Sequence, residues 1–162
     1  MEKKILILGQ ALPEKPVDVP FQRTRLYRWL ESVGITKKDI MERFVFNALL
    51  DVFPGKVKGK DREPTQEEIK DNIPRLLQLI EDNNIDIVIP VGKLAITAVL
   101  NRDGVELQEV IGTEYAAKPF NSGNREIVII PLPHPSGLST WTFKDGNKEL
   151  LEKALEHIKR NF

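Results

Sequence analysis

The chain has 162 residues, of which 41% are apolar and 30% charged, so it fits one folded domain and is not a disordered polymer. Its 24 Lys and Arg residues equal its 24 Asp and Glu residues, which excludes a strongly basic nucleic-acid-binding protein but not a local basic face. The absence of cysteine excludes disulfides, thiolate catalysis, iron–sulfur clusters and cysteine-bound zinc.

Four short runs of Ile, Val and Leu predict buried strands, because each is closed by Gly, Pro or Asn. They are Lys4 to Leu8, Arg43 to Phe46, Asp86 to Val91, and Glu126 to Leu132. The runs are almost continuously apolar rather than alternating, which indicates a sheet that is covered on both faces.

Helical patterns separate and follow these strands. They cover about Arg23 to Val33, a segment that begins at Thr65, a short segment after Gly92, and Lys148 to Arg160. The second begins with a capping box of Thr65 and Glu68, and Pro74 inside it predicts a kink or a restart. Alternating strands and helices favour parallel pairing. We therefore predict a single three-layer α/β/α domain over residues 1–162, with a four-stranded parallel sheet.

The sequence gives no sign of a membrane or secreted protein. No apolar run approaches the roughly 18 residues that span a bilayer. The apolar run from Ile5 to Leu8 is too short for the core of a signal peptide. Only two histidines are present, His134 and His157, so we predict no metal centre. We expect a soluble, cytoplasmic protein that is a monomer.

In an open parallel sheet, ligands bind outside the carboxyl ends of the strands. The predicted strand ends are followed by Gly9-Gln10-Ala11-Leu12-Pro13, Asn47, Gly92-Lys93, and Pro133-His134-Pro135-Ser136-Gly137-Leu138-Ser139. Alone, Gly9 and Gly92 indicate tight turns, and Asn47 could equally cap a helix. His134 favours function, because two prolines fix the backbone around its imidazole. His157 lies near the end of the last helix, where a cation suits the helix dipole.

The sequence argues against several other kinds of site. It contains neither of the glycine-rich loops that bind mononucleotide or dinucleotide phosphates. Ser136 and Ser139 lack the G-x-S-x-G pattern of a hydrolase nucleophile.

The ordered set of strand-end motifs resembles the uracil-DNA glycosylase superfamily over nearly the whole chain. Gly9-Gln10 with Pro13, Asn47, Gly92, and the string from His134 to Ser139 carry the resemblance. Pro20-Phe21 before the first helix is similar to the iron–sulfur-containing branch, but a chain without cysteine resembles a cluster-free member.

The resemblance implies removal of a damaged base from DNA by cleavage of its N-glycosidic bond, after the base is flipped out of the helix. It implies that Phe21 stacks on the base, although Phe21 could equally pack in front of the first helix. Asn47 would read the N3–H and O4 edge of uracil. His134 would donate a hydrogen bond to O2 as negative charge develops on the leaving base. No metal or cofactor is implied, because this cleavage needs only water and electrostatics.

The resemblance also implies contacts with the DNA strand. Leu138 would fill the space left by the flipped base. Phosphate contacts would come from Gly92, Lys93, Ser136, Gly137 and Ser139. A basic rim could be supplied by Arg23, Arg25, Lys93 and Lys144.

One departure concerns the first motif, where well-studied members carry an acidic or amide residue that positions water. That residue corresponds to Ala11 or to Gln10, depending on the family motif used for the alignment. Gln10 can orient a water but cannot act as a general base, so we assign it to the water and Ala11 to the base pocket. Glu14 and Asp18 are candidates to replace the acid.

Three functions follow as hypotheses. The first is a monofunctional DNA glycosylase of base excision repair that acts on uracil or another deaminated base, such as hypoxanthine. The second is a protein of the same fold that binds damaged DNA without turnover. The third is a nucleoside or small-molecule enzyme on a doubly wound sheet, which the missing phosphate loops disfavour.

Overall fold

The computed structural model describes residues 2–15, 20–21, 24–136 and 140–162. Its strands, in chain order, are β1 (Ile5–Ala11), β2 (Phe44–Leu50), β3 (Lys56–Val57), β4 (Lys60–Asp61), β5 (Ile87–Pro90), β6 (Tyr115–Ala117) and β7 (Ile127–Ile129). Five of them form the central sheet in the order β2-β1-β5-β7-β6, while β3 and β4 pair separately as a small hairpin.

The helices are α1 (Leu26–Ser32), α2 (Lys37–Arg43), α3 (Gln66–Asp82), α4 (Lys93–Leu100), α5 (Leu107–Val110) and α6 (Asn147–Asn161). Two short 3-10 helices cover Pro119–Asn121 and Trp141–Phe143. The sequence patterns predicted α1, α3, α4 and α6, but not α2 or α5. The start of α2 carries a readable signal that was missed, a capping box in which Thr36 and Asp39 bind each other's backbone N–H.

The four predicted strands pair in parallel, as expected. In register, Ile5 of β1 lies between Phe44 of β2 and Ile87 of β5, and Ile87 also pairs with Val128 of β7. A fifth strand, β6, was not predicted, and it runs antiparallel to β7 at the edge of the sheet. It has only three residues and no fully buried one, so it lacks the apolar run that marked the others.

The side chains of β1 divide the core between the two faces of the sheet. Ile5 and Ile7 pack in one cluster with residues of α1, α2 and α6, whereas Leu6 and Leu8 pack in the other with residues of α3 and α4. This alternation follows from the two-residue period of a strand. The predicted three-layer α/β/α fold is confirmed, with one strand more than expected.

Helix α3 begins with the predicted capping box. The Thr65 hydroxyl accepts from the Glu68 N–H, and the Glu68 carboxylate accepts from the Thr65 N–H. The helix continues through Pro74 as one element, so of the two expected outcomes the restart is wrong. Proline removes one hydrogen bond, but burial of Leu76 and Ile80 beyond it holds the second half of the helix against the sheet. Among the described residues, no helix is long and apolar enough to cross a membrane.

Candidate functional site

The structure brings the ends of four strands to one edge of the sheet. Leu8 of β1 pairs with Asn47 of β2 on one side and with Pro90 of β5 on the other. Beyond these pairs, the Gly92 N–H donates to the Leu132 carbonyl over 2.9 Å, which brings the chain after β5 beside the chain that leads to His134. The four segments singled out in the sequence are therefore neighbours at one edge.

Strand β1 is longer than the sequence indicated, and it includes Gly9, Gln10 and Ala11. Gly9 pairs with Ala48 in regular strand register, so its interpretation as a tight turn is wrong. A Cβ at Gly9 would lie 3.2 Å from Cζ of Phe21. A side chain here would therefore have to displace the aromatic ring by a few tenths of an ångström, because the ring lies directly against the backbone.

Phe21 packs against the core, which is one of the two roles that the sequence left open, and its stacking on a base stays a prediction. Its ring is half-buried and lies 6.2 Å, between centroids, from the ring of Phe46 in the core. The same ring covers Gly9 at the edge of the sheet. Its backbone has a positive φ of 58°, and its carbonyl accepts from the Thr24 N–H at 3.0 Å and the Thr24 hydroxyl at 2.7 Å. The core thus supports Phe21, and the residue is not fully buried.

Asn47 lies inside β2, which continues to Leu50, so the expectations that it follows the end of its strand or caps a helix are wrong. Its carboxamide is fixed by hydrogen bonds. Its Oδ1 accepts from the Ala48 N–H at 2.9 Å and from Nη1 of Arg75 at 2.8 Å. Both partners can only donate, so the oxygen and nitrogen of the amide are assigned without ambiguity. Within the described residues, Nδ2 makes no hydrogen bond. Sequence reasoning missed Arg75, because its contact with β2 joins residues 28 positions apart.

Gly92 ends the turn between β5 and α4 with a φ of 87°, a conformation that strongly favours glycine. Its interpretation as a turn is therefore correct. A Cβ at Gly92 would also lie 3.5 Å from Cδ2 of His134, so the turn packs against the imidazole.

His134 has a defined tautomer. The Ser136 N–H donates to its Nδ1 at 3.1 Å, which requires Nδ1 to be unprotonated and the neutral ring to carry its hydrogen on Nε2. Although the residue is exposed, the surrounding protein desolvates the ring, and this burial lowers the pKa of His134 below its ordinary value of 6.5. At neutral pH the ring is an uncharged donor at the edge of the sheet.

A sequence model described as the Uracil DNA glycosylase superfamily matches residues 1–159. The chain belongs to the uracil DNA glycosylase superfamily. This membership supports a DNA glycosylase-type function in general, with DNA as substrate or partner. No curated protein matches the chain in a sequence comparison.

In this superfamily member, the half-buried Arg25 supports the loop that follows His134, and its place in a basic rim stays a prediction. Its backbone N–H donates to the Pro135 carbonyl at 3.0 Å, and its Nη2 donates to the Ser136 carbonyl at 2.8 Å. Nη1 donates to the Thr142 hydroxyl at 3.1 Å. The expectation of a rim residue missed this role, because the contacts span more than 100 positions of sequence.

The remaining charged candidates differ in whether they form an ion pair. Glu14 forms an ion pair with Lys56 at 2.9 Å, and Lys93 lies 4.0 Å from Glu106. Lys144 is exposed. The candidates Asp18, Arg23, Gly137, Leu138 and Ser139 lie outside the described residues. Within the part of the chain that is described, no group of three or more His, Asp or Glu residues could hold a metal ion.

Proposed function

We propose that this superfamily member is a monofunctional DNA N-glycosylase of base excision repair that hydrolytically removes uracil or another deaminated base. The observation that carries the proposal is the hydrogen bond from the Ser136 N–H to Nδ1 of His134. It leaves Nε2–H as a neutral donor beside Gly92, at the edge where the superfamily fold presents its strand ends. The cytoplasmic location and the monomeric state stay predictions.

The proposed reaction needs no cofactor. The target base is flipped out of the stack, which exposes its glycosidic bond. Water bonds to C1′ and releases a proton to solvent, while the electron pair of the broken C1′–N bond leaves with the base. His134 Nε2–H donates to the base oxygen on which the negative charge develops. Gln10 orients the water through hydrogen bonds, and the Phe21 ring stacks on the base.

The test is excision from labelled oligonucleotides, single- and double-stranded, that carry uracil, hypoxanthine, xanthine or mismatched thymine. Alkali converts each abasic product to a strand break. We expect cleavage at a deaminated base and a loss of about 100-fold or more in His134→Ala, the size found when a transition-state donor is removed. His157→Ala is the matched control, because His157 instead lies near the Gly112 carbonyl and Glu114, away from the sheet edge.

A second candidate function is damage-specific DNA binding without turnover. The specific observation that favours it is the first motif, where Gln10 and Ala11 stand at the end of β1 and neither can supply negative charge or act as a general base. Retained binding of a uracil-containing duplex with no abasic product from any substrate would favour this function over the glycosylase.

A further inference from the structure

Arg75 is bound on every side of its guanidinium. Nη1 donates to Asn47 Oδ1 at 2.8 Å, Nη2 donates to the Ala48 carbonyl at 2.9 Å, and Nε donates to Asn72 Oδ1 at 3.0 Å. Asp51 lies 3.6 Å from Nε. Charged hydrogen bonds of this kind are stronger than neutral ones, and the planar fork fixes direction as well as distance. Arg75 is therefore a rigid clamp between α3 and the second half of β2.

The hydrogen bond from Arg75 occupies the side-chain oxygen of Asn47, which is the only acceptor in its carboxamide. A carbonyl oxygen has two lone pairs, and Oδ1 already accepts from Arg75 and from the Ala48 N–H. The expectation that Asn47 reads both N3–H and O4 of uracil requires that same oxygen to accept from N3–H. With Oδ1 engaged, only the Nδ2 donor is available to a base.

We propose that Arg75 is a positioning residue that sets base specificity by holding Asn47 with its Nδ2 donor toward an exocyclic carbonyl of the base. The inference rests on the proposed function and adds the residue that orients the amide expected to read the base. Deamination replaces an amine with a carbonyl, at position 4 of cytosine and at position 6 of adenine. A carbonyl oxygen accepts a hydrogen bond from Nδ2. An exocyclic amine is itself a donor, so neither it nor Nδ2 would find a partner. The clamp thus selects the deaminated base by one contact that uracil and hypoxanthine share.

The test pairs a change in the protein with a change in the base. Excision is measured under single-turnover conditions for uracil and for 4-thiouracil, whose sulfur is a poor acceptor at position 4. The proteins are wild type, Arg75→Met and Arg75→Lys. Intrinsic differences between the two leaving bases cancel when the uracil to 4-thiouracil rate ratio is compared between proteins.

We expect the rate ratio to fall about tenfold in Arg75→Met, because the carboxamide is then free to turn its oxygen toward the base. Arg75→Lys, which can still donate to Oδ1, is expected to restore part of the ratio. Arg62→Met is the matched control. Arg62 also holds a backbone carbonyl, that of Pro54 at 2.9 Å, and a side chain of α3, that of Glu68. Its loss is expected to leave the ratio unchanged.

A purely structural Arg75 would slow excision of both bases equally, and an unchanged ratio in Arg75→Met would overturn the inference while the glycosylase stands. A second readout does not need turnover. It uses two duplexes, one with uracil and one with 4-thiouracil as the target base. In both, the target nucleotide carries a 2′-fluoro sugar, which resists cleavage, and the readout is the ratio of the two Kd values. If wild type excises nothing but this Kd ratio depends on Arg75, the glycosylase proposal fails and the Arg75 inference stands. If wild type does not distinguish the two duplexes by excision or by binding, the inference is overturned.

Discussion

Nη2 of Arg25 donates to the carbonyl of Ser136 at 2.8 Å, and the N–H of the same Ser136 donates to Nδ1 of His134. Ser136 thus links the start of α1 to the imidazole through its own peptide groups. The orientation of the imidazole depends on an arginine that need not touch the DNA or the base.

Replacing Arg25 is expected to lower excision through kcat. Arg25→Ala removes the Nη2 donor that holds the Ser136 carbonyl at 2.8 Å and the longer Nε contact with the Pro135 carbonyl at 3.5 Å. The backbone N–H at position 25 still donates to the Pro135 carbonyl, so the loop after His134 loses its side-chain support only. We expect kcat to fall about tenfold or more, because a small misplacement of a catalytic group is costly. Arg28→Ala, an exposed arginine on the same helix, is the control. A kcat unchanged from wild type in Arg25→Ala would refute this role.

The acid limb of excision is expected to lie below pH 6.5. Burial lowers the pKa of His134, so the neutral Nε2–H donor persists to lower pH than a free histidine would allow. Protonation would also place a hydrogen on Nδ1 against the Ser136 N–H. The measurement is the single-turnover rate from pH 4.5 to 8 with uracil-containing DNA. An acid limb centred above pH 6.5 would contradict the prediction.

Gly9→Ala is expected to weaken excision without unfolding the protein. The added Cβ would meet Cζ of Phe21 at 3.2 Å, so the ring must move by a few tenths of an ångström away from the sheet edge. We expect about a tenfold loss in kcat/KM and a change in unfolding free energy of less than about 1.5 kcal/mol. Gly104→Ala adds a Cβ that meets nothing within 4 Å, away from Phe21. Its positive φ of 66° makes this substitution a control for lost stability, and we expect it to leave kcat/KM unchanged. Equal losses of activity in both variants would argue against the Phe21 contact.

Asn47→Asp is expected to abolish uracil excision while the fold is kept. One carboxylate oxygen can still accept from Arg75 and the Ala48 N–H, as Oδ1 does now. The other oxygen replaces Nδ2 and would repel a base carbonyl. We expect a loss of at least about 100-fold in excision, comparable to loss of a buried hydrogen bond plus a repulsive contact, with thermal unfolding close to wild type. Uracil excision at the wild-type rate would show that Asn47 does not contact the base carbonyl.

We expect the Glu68 carboxylate to stabilise the folded protein above pH 4.5 and to lose this contribution as the pH falls toward 2. The hydrogen bond from Arg62, followed by the Thr65 backbone bond, lowers the pKa of Glu68 from 4.5 to about 2. A lowered carboxyl pKa gives stability that is fully present above pH 4.5 and is lost as the pH falls toward 2. Glu68→Gln should therefore flatten the pH dependence of the unfolding midpoint in this window. Identical pH profiles for Glu68→Gln and wild type would rule out this contribution.

The sequence by itself determined most of the architecture and the sheet edge at which the candidate residues meet. Short Ile, Val and Leu runs identified the four parallel strands, and Thr65 with Glu68 identified the start of α3. These features are local, because burial and capping leave their pattern in neighbouring residues. The three-residue edge strand β6 left no such pattern and was missed. The rule that parallel strands share a carboxyl edge then sufficed to bring Asn47, Gly92 and His134 to one rim.

Only the tertiary structure decided how the site is held. The Phe21 ring explains Gly9, Arg75 fixes the Asn47 amide, and the Ser136 N–H selects the His134 tautomer with Arg25 behind it. Except for Ser136, these supports join residues far apart in the chain, through hydrogen bonds and ring contacts that have no period in sequence. Hydrophobic periodicity reports which side of an element is buried. It does not report which donor meets which acceptor, and that pairing sets the chemistry of the site.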